Sequence, residues 1–150
     1  MKIGFVSDLH LEFQTAHNFE SEQGGDVLIL AGDITSAFAL RPDRTDKDGV
    51  VRRRNFGKLR DQLTSKYTVV LYVMGNHEHY RFTFQDTAAA LKQYLGELGF
   101  DNVFLLNRDA VVHQGVQFVG ATLWTDFFKE NPVVMQQCEF GMNDYRIIAD

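Results

Sequence analysis

The stretch Tyr67-Thr-Val-Val-Leu-Tyr-Val-Met-Gly-Asn-His-Glu-His-Tyr80 begins as one kind of structure and ends as another. From Thr68 to Met74 it is a continuous apolar run, rich in β-branched and aromatic residues, as expected of a strand covered on both faces. At Gly75 the run breaks, and Asn76, His77, Glu78 and His79 follow without a spacer. A buried strand has no use for four hydrogen-bonding side chains in a row, so they serve something beyond its carboxyl end.

The same pattern occurs twice earlier in the chain. Lys2 to Ser7 and Asp26 to Ala31 are short continuous apolar runs that stop at polar residues, and Gly24, Gly25 and Gly32 bracket the second with turn chemistry. Helical spacing recurs over Val51 to Ser65, with Phe56, Leu59 and Leu63 in phase. It recurs again over Phe84 to Leu98, where Ala88, Leu91, Leu95 and Leu98 share a face and Gly99 is placed to cap the end. Thr35 to Val50 lacks a period and reads as a surface loop. Val103 to Leu106 reads as a strand, Ala110 to Ala121 as a hairpin turning near Gln114-Gly115, and the tail from Thr125 to Asp150 carries one helix around Val133 to Phe140. Strands alternating with helices predict a layered α/β fold, with functional groups on the loops that leave the strands' carboxyl ends.

Composition narrows the function classes. The 150 residues fit one domain, 1–150, and 45% hydrophobic content is that of a packed globular chain. A net charge of −5 does not indicate a nucleic-acid partner, which would need clustered cations. The local exception, Arg52-Arg-Arg54 with Lys58 and Arg60, spreads around a helix and reads as a solvated face. One cysteine, Cys138, excludes an internal disulfide and suits a reducing compartment. No signal peptide and no apolar stretch long enough for a membrane span is present, so a cytoplasmic location without membrane attachment is expected.

The three strand ends form one constellation. The first runs into Ser7-Asp8-Leu9-His10, the second into Ala31-Gly32-Asp33, and the third into Gly75-Asn76-His77-Glu78. Taken singly, Asp33 reads as a turn residue, Asn76 as a helix cap and His77 as a surface histidine. If the strands are parallel neighbours, two aspartates, two histidines and an asparagine converge on one rim. That oxygen and nitrogen donor set, without thiolate, suits Mn, Fe, Zn, Ni or Mg better than a structural zinc site. Gly32 and Gly75 precede proposed ligands, where a missing Cβ permits an unusual backbone angle or a close approach.

In order, spacing and strand context these motifs resemble those of the calcineurin-like metallophosphoesterase family. Gly120-Ala-Thr-Leu-Trp-Thr-Asp-Phe127 and Gly141-Met-Asn-Asp-Tyr-Arg-Ile147 look like its bacterial and phage branch, so the resemblance spans nearly the whole chain. It implies a metallophosphoesterase-type α/β sandwich and a site for two divalent ions, manganese among the candidates. Asp8 and His10 would hold the first ion, Asp33 would bridge both, and Asn76 would bind the second. His77 would contact the substrate phosphate or protonate the leaving oxygen, and Glu78 would orient its neighbour by hydrogen bonding. The implied reaction is hydrolysis of a phosphomonoester or phosphodiester by a metal-activated hydroxide, as in a phosphatase, with the phosphoester as partner.

The family's later ligands, one histidine after a further strand and then a Gly-His-x-His segment, have no counterpart here. His113 reads as a surface turn residue, His17 as solvated and His79 as an exposed filler beside Tyr80. The resemblance therefore implies a sandwich incomplete at the carboxyl end, and weak turnover. It also implies an uncovered apolar face over Ile3, Phe5, Val27, Ile29, Val69 and Leu71 that either drives self-association or is covered by the tail. A metal-binding or interaction module that keeps the fold without the reaction is the alternative. A nucleotide-binding α/β domain is disfavoured, because no Gly-x-Gly-x-x-Gly or P-loop lysine motif occurs.

Overall fold

In the computed structural model, which describes residues 1–13, 18–19, 23–123 and 125–149, the apolar runs form one parallel sheet. Strands β1 (Ile3–Val6), β2 (Gly25–Ala31), β3 (Tyr67–Val73) and β4 (Val103–Leu106) lie in the order β1-β2-β3-β4, each parallel to its neighbour. The register sets Phe5 beside Ile29, Ile29 beside Leu71 and Leu71 beside Phe104, so alternate residues of all four strands share a face. Chain order equals spatial order, and right-handed crossovers then place the connecting helices on one side of the sheet.

That side is the main core. Helices α1 (Ala37–Leu40), α2 (Lys47–Gln62) and α3 (Phe84–Glu97) bring Leu40, Phe56, Leu59, Leu91 and Leu95 onto Leu28, Leu30, Val70 and Tyr72. Fully burying each such leucine contributes roughly 1.5–3 kcal/mol. The helix starts are capped locally: Asp46 accepts from the Gly49 amide and Thr83 from the Asp86 amide, each at 3.0 Å. Gly99, at φ +74°, ends α3 as its position predicts.

The opposite face is covered by the hairpin of β5 (Asp109–His113) and β6 (Val116–Gly120), whose turn at Gln114 and Gly115 has φ of +49° and +77°. Two consecutive positive φ values match the twist of the flanking strands. Val111 and Phe118 pack there on Val27, Leu71 and Leu106. A left-handed turn at Phe127–Glu130, a helix at Pro132–Gly141 and a helical turn at Asp144–Ile147 complete the tail.

Three expectations need correction. The segment from Thr35 to Val50 is not a surface loop: Thr35, Ser36, Ala37, Ala39 and Leu40 are buried and α2 already begins at Lys47. Strand β1 is not covered on both faces, because it forms the sheet edge and the hairpin covers only β2 to β4, leaving Phe5 76% exposed. His79 is buried rather than exposed, its ring tilted against Phe84 at 4.5 Å. His113 ends β5, half-buried, just before the turn. His17 lies outside the described residues, as does Trp124 within the Gly120–Phe127 stretch.

Candidate metal centre

The loops leaving β1, β2 and β3 are stitched together by main-chain bonds. The amides of Asp8, His10 and Leu11 donate to the carbonyls of Gly32, Asp33 and Ile34 at 3.0, 2.9 and 2.9 Å. Glu78 joins the third loop to the second. Its Oε2 accepts from the amides of Gly75 and Asp33 at 2.7 and 3.0 Å, and its Oε1 accepts from the Ile34 amide and the Tyr72 hydroxyl, both at 2.8 Å. Burial pushes the Glu78 carboxyl above its ordinary value, while these donors act in the opposite direction.

Glycine is required at two points of this junction. Gly32 has φ +89°, and a Cβ on it would press on the Gly75 backbone. A Cβ on Gly75 would collide with the Asp33 carboxylate, which passes over it to accept from the His77 amide at 2.9 Å. Three non-glycine residues of the junction also sit in the left-handed region: Asp8 at φ +55°, His10 at +46° and Asp33 at +53°. Each such conformation costs on the order of 1–3 kcal/mol and clusters at functional sites.

The result is a compact donor set. Ligand atoms of Asp8, His10 and Asp33 lie within 4.8 Å of one another, and so do those of His10, Glu12 and His77. His10 turns its two nitrogens to different carboxylates, Nε2 toward Asp8 at 3.9 Å and Nδ1 toward Glu12 at 3.4 Å. Ser7 donates its hydroxyl to Asp8. His77 meets the same Glu12 oxygen through Nδ1 at 2.8 Å and stacks on Tyr80 at 4.2 Å, leaving Nε2 directed elsewhere. Asn76 donates its amide nitrogen to Asp144 Oδ1 at 2.6 Å, which orients the amide and frees its carbonyl oxygen. The Glu12 Oε2 atom is buried and unpaired among the described residues.

Glu12 and Asp144 were missed by the sequence reading. Glu12 extends the Asp8-x-His10 spacing by one more step, a signal that was available. Asp144 stands 68 residues from Asn76, and no local pattern links them.

The model of calcineurin-like phosphoesterases matches residues 1–139. An uncharacterized protein of Acanthamoeba polyphaga mimivirus is 27% identical over 160 aligned positions, which cover 96% of this chain and 50% of that protein. The crystal structure of the phosphopantetheinyl hydrolase from Mycobacterium tuberculosis is similar in fold, with a TM-score of 0.50 and 17% identity over 98% of this chain and 54% of that one. The chain thus spans about half the length of both proteins. Among the described residues no helix is long and apolar enough to cross a membrane. With the motifs on three adjoining strand ends and the match running through residue 139, the chain belongs to the calcineurin-like phosphoesterase family.

Proposed function

We propose that this chain is a metal-dependent phosphoesterase, acting on a phosphomonoester or phosphodiester, with Asp8, His10, Asp33 and Asn76 as metal ligands and His77 as the catalytic proton donor. The observation that carries this reading is the convergence of Asp8, His10 and Asp33 within 4.8 Å at the ends of adjoining parallel strands. The donor set fits a divalent ion. It combines carboxylate oxygens and imidazole nitrogens without thiolate, and His10 has the carboxylate on its second nitrogen that orients a metal-bound imidazole.

Bound divalent ions supply Lewis-acid polarisation of the phosphoryl group and acidify the attacking water. The chain's own residues do the rest. His77, held at Nδ1 by Glu12, presents Nε2 to the leaving oxygen. As the new P–O bond forms and the ester P–O bond breaks, His77 acts as an imidazolium whose Nδ1–H is donated to Glu12: its Nε2 proton passes to the departing oxygen, which leaves as an alcohol, and the imidazole is left neutral. Asp33 keeps His77 in place through its main-chain amide, and Glu78 fixes Asp33 in turn. Asp144 holds Asn76 with its carbonyl oxygen outward.

The test measures metal by emission spectroscopy and turnover on an aryl phosphodiester with added Mn²⁺. Asp33→Ala should lose bound metal. His77→Asn should keep the metal and lose about 100-fold or more in turnover. Equal metal in wild type and Asp33→Ala would overturn the ligand assignment. Metal binding by the wild type without any turnover would favour the non-catalytic module.

A further inference from the structure

A cleft of about 450 Å³ opens beside His77 and is larger than a single phosphate needs. Its volume falls in the range of small-molecule sites, roughly 300–1,000 Å³. Its lining includes His77, Tyr80 and Glu12, shared with the candidate metal centre, and Arg44, Arg52 and Arg81.

The cations are gathered around one ring. The guanidinium carbons of Arg41, Arg44 and Arg81 lie 5.5, 5.1 and 5.3 Å from the centre of the Phe38 ring. Arg41 is neutralised by Asp43 and Arg44 by Asp46. Arg44 uses Nε and Nη2 for that pair, while its Nη1 is buried and lacks a partner among the described residues. Arg52 and Arg81 form no ion pair among the described residues. Asp48 is the one carboxylate of the cleft besides Glu12, which the two histidines engage. With Arg41 and Arg44 offset by Asp43 and Asp46, Arg52 and Arg81 are left with Asp48 as the opposing carboxylate, a surplus of positive charge that a bound anion would offset. Arg52 also departs from the solvated face read from Arg52-Arg-Arg54. Arg54 is exposed and Arg53 donates to the Arg41 carbonyl at 2.6 Å, whereas Arg52 lines the cleft.

Resting on the phosphoesterase reading above, we infer that this cleft binds a second phosphate carried on the substrate's leaving group. The direction follows from His77. The group that protonates the leaving oxygen stands on the leaving side, and His77 lines this cleft together with Arg52 and Arg81. Guanidinium groups suit the purpose, because their planar fork matches phosphate oxygens in pairs. The substrate class is therefore a phosphoester bearing two phosphates joined by a spacer, the first at Asp33 and His77 and the second among the arginines.

The test is calorimetric titration of the full chain with alkanediol bisphosphates of two to six carbons and with the matching monophosphates, in Mn²⁺ and in EDTA. At least one bisphosphate should bind about tenfold or more tightly than its monophosphate, the effect of one or two charge-assisted hydrogen bonds. Arg52→Gln with Arg81→Gln should bring that ratio close to one, and Asp48→Asn, which removes the opposing charge, should raise it. A ratio near one in the wild type, or a ratio unchanged in the double variant with its circular dichroism intact, overturns the inference. The underlying reading fails separately: monophosphate binding indifferent to Mn²⁺ and to Asp33→Ala overturns the metal assignment, whatever the ratio.

Discussion

Glu78→Gln tests the junction that builds the site. The carboxylate accepts from four donors at 3.0 Å or less, the amides of Gly75, Asp33 and Ile34 and the Tyr72 hydroxyl. A glutamine replaces one acceptor oxygen with an NH₂ donor. Turned toward Gly75 and Asp33, it leaves two buried N–H groups unpaired. Turned the other way, it lets the Tyr72 hydroxyl reverse and accept, leaving the Ile34 amide alone. The second arrangement is cheaper, and one unpaired buried donor costs about 1–3 kcal/mol. Removing a buried charge offsets part of this, so a net loss of about 2 kcal/mol is expected, a sizeable share of the roughly 5–15 kcal/mol of a typical domain. Urea denaturation in EDTA reads it as a lowered midpoint at unchanged slope. The pH dependence gives a second reading. Burial raises the Glu78 carboxyl above 4.5 in the fold, so its contribution is fully present below that value and is lost as pH rises through the raised value. Relative to Glu78→Gln, which does not titrate, wild type should therefore lose stability as pH rises above 4.5. A loss below about 0.5 kcal/mol would refute the donor count, and an advantage that widens with pH would mean that the four donors outweigh burial.

Other expectations follow from single contacts. Glu12→Gln keeps the shape but loses the anion that holds His77 and His10, so turnover should fall about 10–100-fold, as for other groups that orient ligands; unchanged turnover would assign Glu12 to structure alone. Burial lowers His79 below 6.5, so the fold resists its protonation, and the stability involved is present above 6.5 and lost as pH falls below it. His79→Phe should flatten that acid slope in thermal melts, and an unchanged slope would place its origin elsewhere. Ile3 and Phe5, 47% and 76% exposed on the open edge strand, predict concentration-dependent self-association with a second copy. Light scattering should show Phe5→Lys shifted toward monomer, and a wild type that stays monomeric at every concentration contradicts this.

What the sequence made legible was local, and what it hid was tertiary. The runs ending at Ser7, Ala31 and Met74, the hairpin turn at Gln114-Gly115 and the cap at Gly99 each depend on neighbours a few residues away, and each is found where its pattern places it. Ala37, Ala39 and Leu40 gave no period because α1 is only four residues long and is buried by α2 and α3 rather than by its own amphipathicity. The Asn76–Asp144 contact crosses 68 residues and leaves no trace in spacing. Least legible were the left-handed conformations of Asp8, His10 and Asp33, since aspartate and histidine tolerate such angles more often than most residues but adopt them in only a few cases, so no local signal announces them. They are held by the amides of Asp8, His10 and Leu11 bonding to the second loop, and by Glu78 bonding that loop to the third. Main-chain pairing between loops thus fixes backbone angles that L-residues populate only sparsely. Those angles in turn set the Asp8, His10 and Asp33 ligand atoms within 4.8 Å. A change that loosens the stitching without touching a proposed ligand, such as Glu78→Gln, is therefore expected to weaken metal retention as well as the fold.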